Sequence, residues 1–164
     1  MNIQLEQIFN LEGSKKDFDF IFEPEYSLSD DISLDAPGIA VSGKIENNTG
    51  IVSLSAKAKF SATVVCSRCA ESFKKSFEID IEHLLAKSLE NDDNDDYIVV
   101  ENGSLDLATL ISEDIIFSLP LRFLCDEECK GLCSKCGKNL NYGPCDCKKD
   151  VDPRMAALLQ LLDE

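Results

Sequence analysis

Val52-Ser-Leu-Ser-Ala-Lys-Ala-Lys-Phe-Ser-Ala-Thr-Val64 puts Val52, Leu54, Ala56, Ala58, Phe60, Ala62 and Val64 on one parity and Ser53, Ser55, Lys57, Lys59, Ser61 and Thr63 on the other. A period of two with one apolar side is the pattern of a strand with one buried and one wet face. The strand runs into Cys66-Ser-Arg-Cys69, which reads as a turn, and the following residues place Phe73, Phe77, Ile79 and Ile81 on a common face. The first CxxC therefore belongs at the tip of a hairpin. Antiparallel strands joined by short turns make a sheet that faces water on one side or curls into a partial barrel.

Working outward, residues 39–45 set Ile39, Val41, Gly43 and Ile45 on one face, and Asn47-Asn48-Thr49-Gly50 reads as the turn into the long strand. Residues 17–23 alternate as a further strand. Downstream, residues 90–96 are an acidic run that lacks the glycine and terminal glutamate of a calcium loop and reads as solvated. Tyr97–Val100 is a short strand, and Asn102-Gly103 turns the chain. Asp106 caps a helix at about 106–118 with the stripe Leu107, Leu110, Ile111, Ile115 and Leu119, ended by Pro120. Asp152-Pro153 starts a last helix with the stripe Met155, Leu158, Leu159 and Leu162, suited to packing at home or on another chain. The expected class is α+β: an antiparallel, barrel-like sheet with one or two helices and a C-terminal zinc-ribbon-like segment. Residues 1–120 form the sheet and its helix, and residues 121–164 the cysteine-rich segment and terminal helix, integrated into one domain.

A chain of 164 residues can bury a real core. Its net charge is -15, which repels phosphate backbones and argues against DNA and against broad RNA affinity. The imbalance is uneven: residues 1–120 hold 9 Lys/Arg against 23 Asp/Glu, whereas residues 121–154 hold 7 against 6. No apolar run approaches the roughly 18 residues of a membrane span. The N-terminus has no basic region followed by an apolar one, so a cytoplasmic location is expected.

Eight cysteines in a reducing compartment point to metal or redox chemistry rather than disulfides. Cys133-Ser-Lys-Cys136-Gly137 and Cys145-Asp-Cys147, joined by the turn-rich Asn139–Pro144, make one set of four thiolates, the number zinc takes in a tetrahedron. Gly137 lets the chain curl back with its N–H groups toward sulfur. Cys66, Cys69, Cys125 and Cys129 are a CxxC and a CxxxC pair, and a second zinc site is their simplest use. Other groupings are open: Cys129 can replace Cys145 or Cys147, and Cys66 and Cys69 can be plain thiols. Ferredoxin spacing is absent, and a thioredoxin-like dithiol belongs at a helix start rather than between strands. A hydrolytic zinc normally uses histidine or carboxylate ligands, and the one histidine, His83, sits in a strand far from the cysteine segment. No phosphate loop or nucleophile elbow is present, so no enzyme is expected, and zinc would fold a segment that cannot build its own core.

Cys66-Ser-Arg-Cys69 is followed by a helix opening at Leu105-Asp-Leu107 and closing at Leu119-Pro-Leu121. Next come Cys129-Lys-Gly-Leu-Cys133-Ser-Lys-Cys136-Gly-Lys-Asn-Leu-Asn141, Cys145-Asp-Cys147 and Asp152-Pro-Arg154 before a leucine-rich helix. In that order the series resembles the YceD family, the large ribosomal RNA synthesis or accumulation proteins of bacteria and plastids, from about residue 35 to the end. The C-terminal run is the specific part. Other members lack several of these cysteines, which implies that they serve structure. The resemblance implies a role in accumulating large-subunit ribosomal RNA, hence in ribosome biogenesis, and family genes often lie beside one for a large-subunit ribosomal protein. The expected partner is then a ribosomal or rRNA-processing protein, with local RNA contact as a further option. Arg68, Lys74, Lys75, Lys130, Lys135, Lys138, Lys148 and Lys149 are the basic residues placed to make it, against an ordinary role in solubility. The alternative is a zinc- or redox-responsive interaction module unrelated to ribosomes.

Overall fold

The computed structural model describes residues 1–24, 28–29, 31–36, 38–88 and 96–147. Most of the acidic run, the terminal helix, Lys148 and Lys149 lie outside the described residues. In chain order the elements are β1 (Asn2–Gln4), α1 (Glu6–Asn10), β2 (Lys15–Phe22), β3 (Ile32–Leu34), β4 (Ile39–Asn48), β5 (Ile51–Val65), β6 (Ser72–Ala86), β7 (Tyr97–Val99), β8 (Ser104–Asp106) and α2 (Leu107–Ser118). A 3-10 turn spans Leu140–Tyr142.

The main sheet runs β2-β4-β5-β6-β7, and β3 pairs with β5 beyond the start of β4. All pairings are antiparallel except β6 with β7, which is parallel. The strands form a curled half-barrel. Its apolar inner face carries the alternating set of β5, from Val52 through Val64, all buried. Phe77, Ile81 and Leu85 of β6 and Val41 and Ile45 of β4 join it. The outer face is polar, and its cross-strand lysines and carboxylates pair: Lys57 meets Glu78 and Asp80 at 3.0 Å each.

One close approach sits inside the sheet. Phe18, Gly43 and Ala56 stand opposite one another across β2, β4 and β5. A Cβ on Gly43 would lie 2.6 Å from the Phe18 ring and 2.5 Å from the Ser55 carbonyl oxygen, so only glycine admits the ring here. The hairpin from β4 to β5 closes through Thr49 (φ 52°) and Gly50 (φ 89°), both left-handed, as a two-residue turn requires to match strand twist.

One end of the inner face is closed by the two helices and by β1 paired to β8. α2 buries Leu107, Ile111 and Ile115, and the Asp106 carboxylate caps it by accepting the Ala108 N–H at 3.1 Å. The predicted helix and cap are thus present. His83 of β6 meets Asp114 of α2 at 2.8 Å, which ties helix to sheet. β1, α1, β3 and β8 are short elements that the sequence reading did not place. Asn47, read there as a turn residue, is 1% exposed: its Nδ2 donates to the Ile8 carbonyl at 2.7 Å and its Oδ1 accepts the Gly50 N–H at 3.0 Å. It fastens α1 to the hairpin. At the other end, Phe60 and Phe77 stack at 4.9 Å and Phe123 meets Phe77 edge-on at 6.0 Å. Phe123 thereby anchors the chain just before it enters the cysteine segment.

Candidate metal centres

The CxxC after β5 forms a tight knuckle. The Ala70 N–H donates to the Cys66 carbonyl at 2.9 Å, and the Cys66 N–H donates to the Glu71 carbonyl at 2.8 Å. Ala70 sits at φ 57°, the position that Gly137 (φ 71°) holds after Cys136, where the Gly137 N–H likewise donates to the Cys133 carbonyl at 2.9 Å. The two CxxC turns are built alike, and the second uses the residue best suited to that conformation.

The hairpin tip is stitched to residues 123–132. The Ser67 N–H donates to the Phe123 carbonyl at 2.8 Å, and the Phe123 N–H donates to Ser67 Oγ at 3.2 Å. The Leu132 N–H donates to the Arg68 carbonyl at 3.1 Å. That oxygen would lie 2.9 Å from a Cβ on Gly131, whose φ is 73°. The Arg68 guanidinium donates to the carbonyls of Glu127 at 3.1 Å and Cys129 at 3.0 Å. These bonds bring Cys66 and Cys69 against Cys125 and Cys129 across more than 50 residues of sequence, with Cys66 and Cys129 sulfurs 3.9 Å apart and those of Cys69 and Cys125 3.6 Å apart.

Cys133, Cys136, Cys145 and Cys147 form the second group, and in each group the sulfur atoms all lie within 4.8 Å of one another. Four thiolates about 2.3 Å from a shared ion define a tetrahedron with edges of about 3.8 Å. A disulfide would need about 2.05 Å. The 3.9 and 3.6 Å separations in the first group match that edge, and all eight cysteines are free of disulfides. The sequence left the sorting of cysteines open; the fold groups Cys129 with the hairpin pair and keeps Cys145 and Cys147 with Cys133 and Cys136.

The electrostatics also suit a cation. Burial opposes ionisation of Cys66, but the N–H groups of Cys125, Cys69 and Arg68 directed at its sulfur outweigh this and bring the thiol down to about 6. Burial and the sulfurs of Cys129, Cys69 and Cys66 push Cys125 up to about 12. In the second group the N–H groups of Cys136 and Lys135 bring Cys133 down to about 6, while the Cys136 sulfur and burial push Cys147 up to about 12. One sulfur in each group ionises readily and another resists, because four like charges cannot share so small a space without a cation. Each group supplies a full set of four soft ligands, the donor set of zinc or of an iron–sulfur centre and the arrangement of a closed structural site.

Three residues support these groups without having been singled out. Asn141 donates from Nδ2 to the Cys129 sulfur at 3.2 Å and accepts the Lys130 N–H at 2.7 Å. Asn139 caps the 3-10 turn by accepting the Asn141 N–H at 3.0 Å; its Nδ2 is the one buried side-chain polar atom without a partner among the described residues. Ser67 clamps Phe123. An asparagine or serine in a turn-rich loop carries no signal that would separate it from ordinary turn formers.

The described candidate contact residues are engaged in different ways. Arg68 is occupied as a strut. Lys74 and Lys75 alternate on β6, the first 3.8 Å from Asp35 and the second 5.7 Å from the Phe77 ring centre. Lys130, Lys135 and Lys138 are exposed on the second loop, and Lys138 Nζ donates to the Pro144 carbonyl at 2.7 Å. Among the described residues no helix is long and apolar enough to cross a membrane.

Comparison with known proteins finds relatives of this chain. The chain is 29% identical over 140 residues to the uncharacterized protein YlbN of Bacillus subtilis, covering 84% of this chain and 81% of that one. It is 36% identical over 50 residues to the Large ribosomal RNA subunit accumulation protein YCED homolog 1, chloroplastic, of Arabidopsis thaliana. That stretch is 30% of this chain and 16% of the plant protein. An uncharacterized protein of Mycobacterium tuberculosis is 28% identical over 101 residues, or 59% of this chain and 49% of its own length. No solved structure matches. The model of the family described as "Large ribosomal RNA subunit accumulation protein YceD" matches residues 54–162, from the long strand through both cysteine groups, and the chain belongs to the YceD family.

Proposed function

We propose that this protein is a non-enzymatic factor in the accumulation and processing of large-subunit ribosomal RNA, held in shape by two zinc ions. The family match over residues 54–162 carries the reading. The plant relative whose name states ribosomal RNA accumulation supports it, although the chain spans 16% of that protein's length. Cys66, Cys69, Cys125 and Cys129 would hold one zinc and Cys133, Cys136, Cys145 and Cys147 the other. Four thiolates saturate the ion and admit no water, so the metal's contribution is to fasten the segment after Phe123 to the hairpin tip.

The chain acts in the cytoplasm through protein partners more than through RNA. A net charge of -15 opposes the counterion release that drives non-specific RNA binding, and each four-thiolate zinc centre adds -2. The same charge favours a basic partner, such as a ribosomal or rRNA-processing protein, by complementarity. That charge limits any RNA contact to a local one.

The test is the ratio of large- to small-subunit ribosomal RNA in cells depleted of the protein. The proposal expects the ratio to fall and to recover when the gene is returned. An unchanged ratio under depletion would remove the ribosomal role.

A further inference from the structure

The second cysteine group lies in a loop that carries its own ligands, and one side chain ties that loop to the first group. Asn141 stands between Cys136 and Cys145, in the 3-10 turn Leu140–Tyr142. Its carboxamide reaches back to the first ligand set at both ends: Oδ1 accepts the Lys130 N–H at 2.7 Å, and Nδ2 donates to Cys129 Sγ at 3.2 Å. Residue 141 is itself held by the Asn139 carboxamide, which accepts its N–H at 3.0 Å. The stretch it grips carries one ligand of each group, Cys129 and Cys133. Between them the Gly131 carbonyl accepts the Leu140 N–H at 2.9 Å, and Leu132 bridges to Asn139. An N–H donor on a thiolate stabilises the charged sulfur and orients it toward its ion.

We propose that Asn141 couples the two metal centres, so that an ion held by Cys133, Cys136, Cys145 and Cys147 strengthens the hold of Cys66, Cys69, Cys125 and Cys129 on theirs. This rests on the reading of both groups as metal centres. With the second ion in place, the ends of the loop are joined, the turn at Leu140–Tyr142 is formed and the amide is already aimed at Cys129. Without it, the amide must be ordered as the first ion binds, and that ordering opposes binding. The coupling runs both ways: the first ion fixes Cys129, and through it the backbone that presents Cys133. Asn141 touches sulfur and not metal, so it is a positioning residue.

The test uses the full chain loaded with Co2+, whose thiolate charge-transfer absorption reports each centre. Excess chelator is added and the two release phases are assigned with Cys66→Ser/Cys69→Ser and Cys133→Ser/Cys136→Ser, which disable the first and second centre respectively. Circular dichroism checks the sheet in every variant. Asn141→Ala and Cys133→Ser/Cys136→Ser are each expected to speed release from the first centre about 10-fold or more. Combining them adds little beyond the larger single effect. Asn141→Asp keeps the acceptor for Lys130 but sets an anion beside the Cys129 sulfur, so it speeds release at least as much as alanine. If Asn141 merely braced Lys130, the aspartate would restore the wild-type rate. Wild-type release from Asn141→Ala or Asn141→Asp with both centres filled overturns the coupling and leaves the metal reading intact. So does full additivity in the combined variant. Absence of cobalt uptake by the wild-type chain overturns both. Should the alanine variant lose the sheet's signal, Asn141→Asp and the second-centre knockout decide the question by the same criteria.

Discussion

Replacing Gly43 by alanine tests the close approach of β2, β4 and β5 directly. The added Cβ would stand 2.5 Å from the Ser55 carbonyl oxygen, 2.6 Å from Phe18 Cζ and 2.8 Å from Ala56 Cα. Two of these are backbone atoms of the paired strand and cannot yield without opening the β4–β5 ladder. The third is the tip of a ring that is 8% exposed and would be driven from its place in the core. Overpacking of this kind costs about 1–3 kcal/mol. Partial loss of the Phe18 burial adds about 1 kcal/mol, and the stiffer unfolded chain returns about 0.4–1 kcal/mol. The net expectation is a loss of about 1–3.5 kcal/mol. With a urea slope of about 2 kcal/mol/M, the midpoint of the circular-dichroism transition falls by about 0.5–1.8 M. Gly43→Ala/Phe18→Leu recovers part of this and not all, because the Ser55 carbonyl remains in the way. A midpoint within about 0.3 M of wild type at unchanged slope would refute the claim that the close approach at Gly43 requires glycine.

Asn47→Ala removes both bonds from a buried side chain and strips partners from the Ile8 carbonyl and the Gly50 N–H; denaturant unfolding should show a loss of about 2–3 kcal/mol. Ala70→Gly relieves a left-handed alanine at φ 57° and brings the first CxxC knuckle to the form of the second. Thermal unfolding of the metal-loaded chain should report a gain of about 0.5–1 kcal/mol. Stripping metal with a chelator should expose the segment after Phe123 while leaving the sheet folded. Brief trypsin treatment then cuts after Lys130, Lys135 or Lys138 in the stripped chain and spares them in the loaded one, and equal cutting in both would count against a fastening role.

Much of this molecule could be read along the chain because its signals are local. The alternation of β5 is long and strict, the Asp106 cap and Pro120 bracket α2, and the second cysteine group lies within 15 residues of sequence. What was not legible depends on contacts between distant segments. β1 and β8 are three residues each and pair across about 100 positions, so neither carries a periodicity of its own. Asn47 looks like any turn asparagine until α1 packs over it. The first cysteine group needs the tip of the β5–β6 hairpin to meet the chain leaving α2, and spacing alone allows Cys129 to join either set. The sequence places Arg68 for RNA or partner contact, and no local signal marks that its guanidinium also donates to two carbonyls of the same chain.

The most direct test of the account is the mass of the intact protein under native conditions, purified without added metal and compared with the same sample after acid denaturation. The account predicts two zinc ions per folded chain, falling to one in Cys66→Ser/Cys69→Ser and to one in Cys133→Ser/Cys136→Ser. A folded wild-type chain carrying no metal, or one whose cysteines are joined as disulfides, would contradict it.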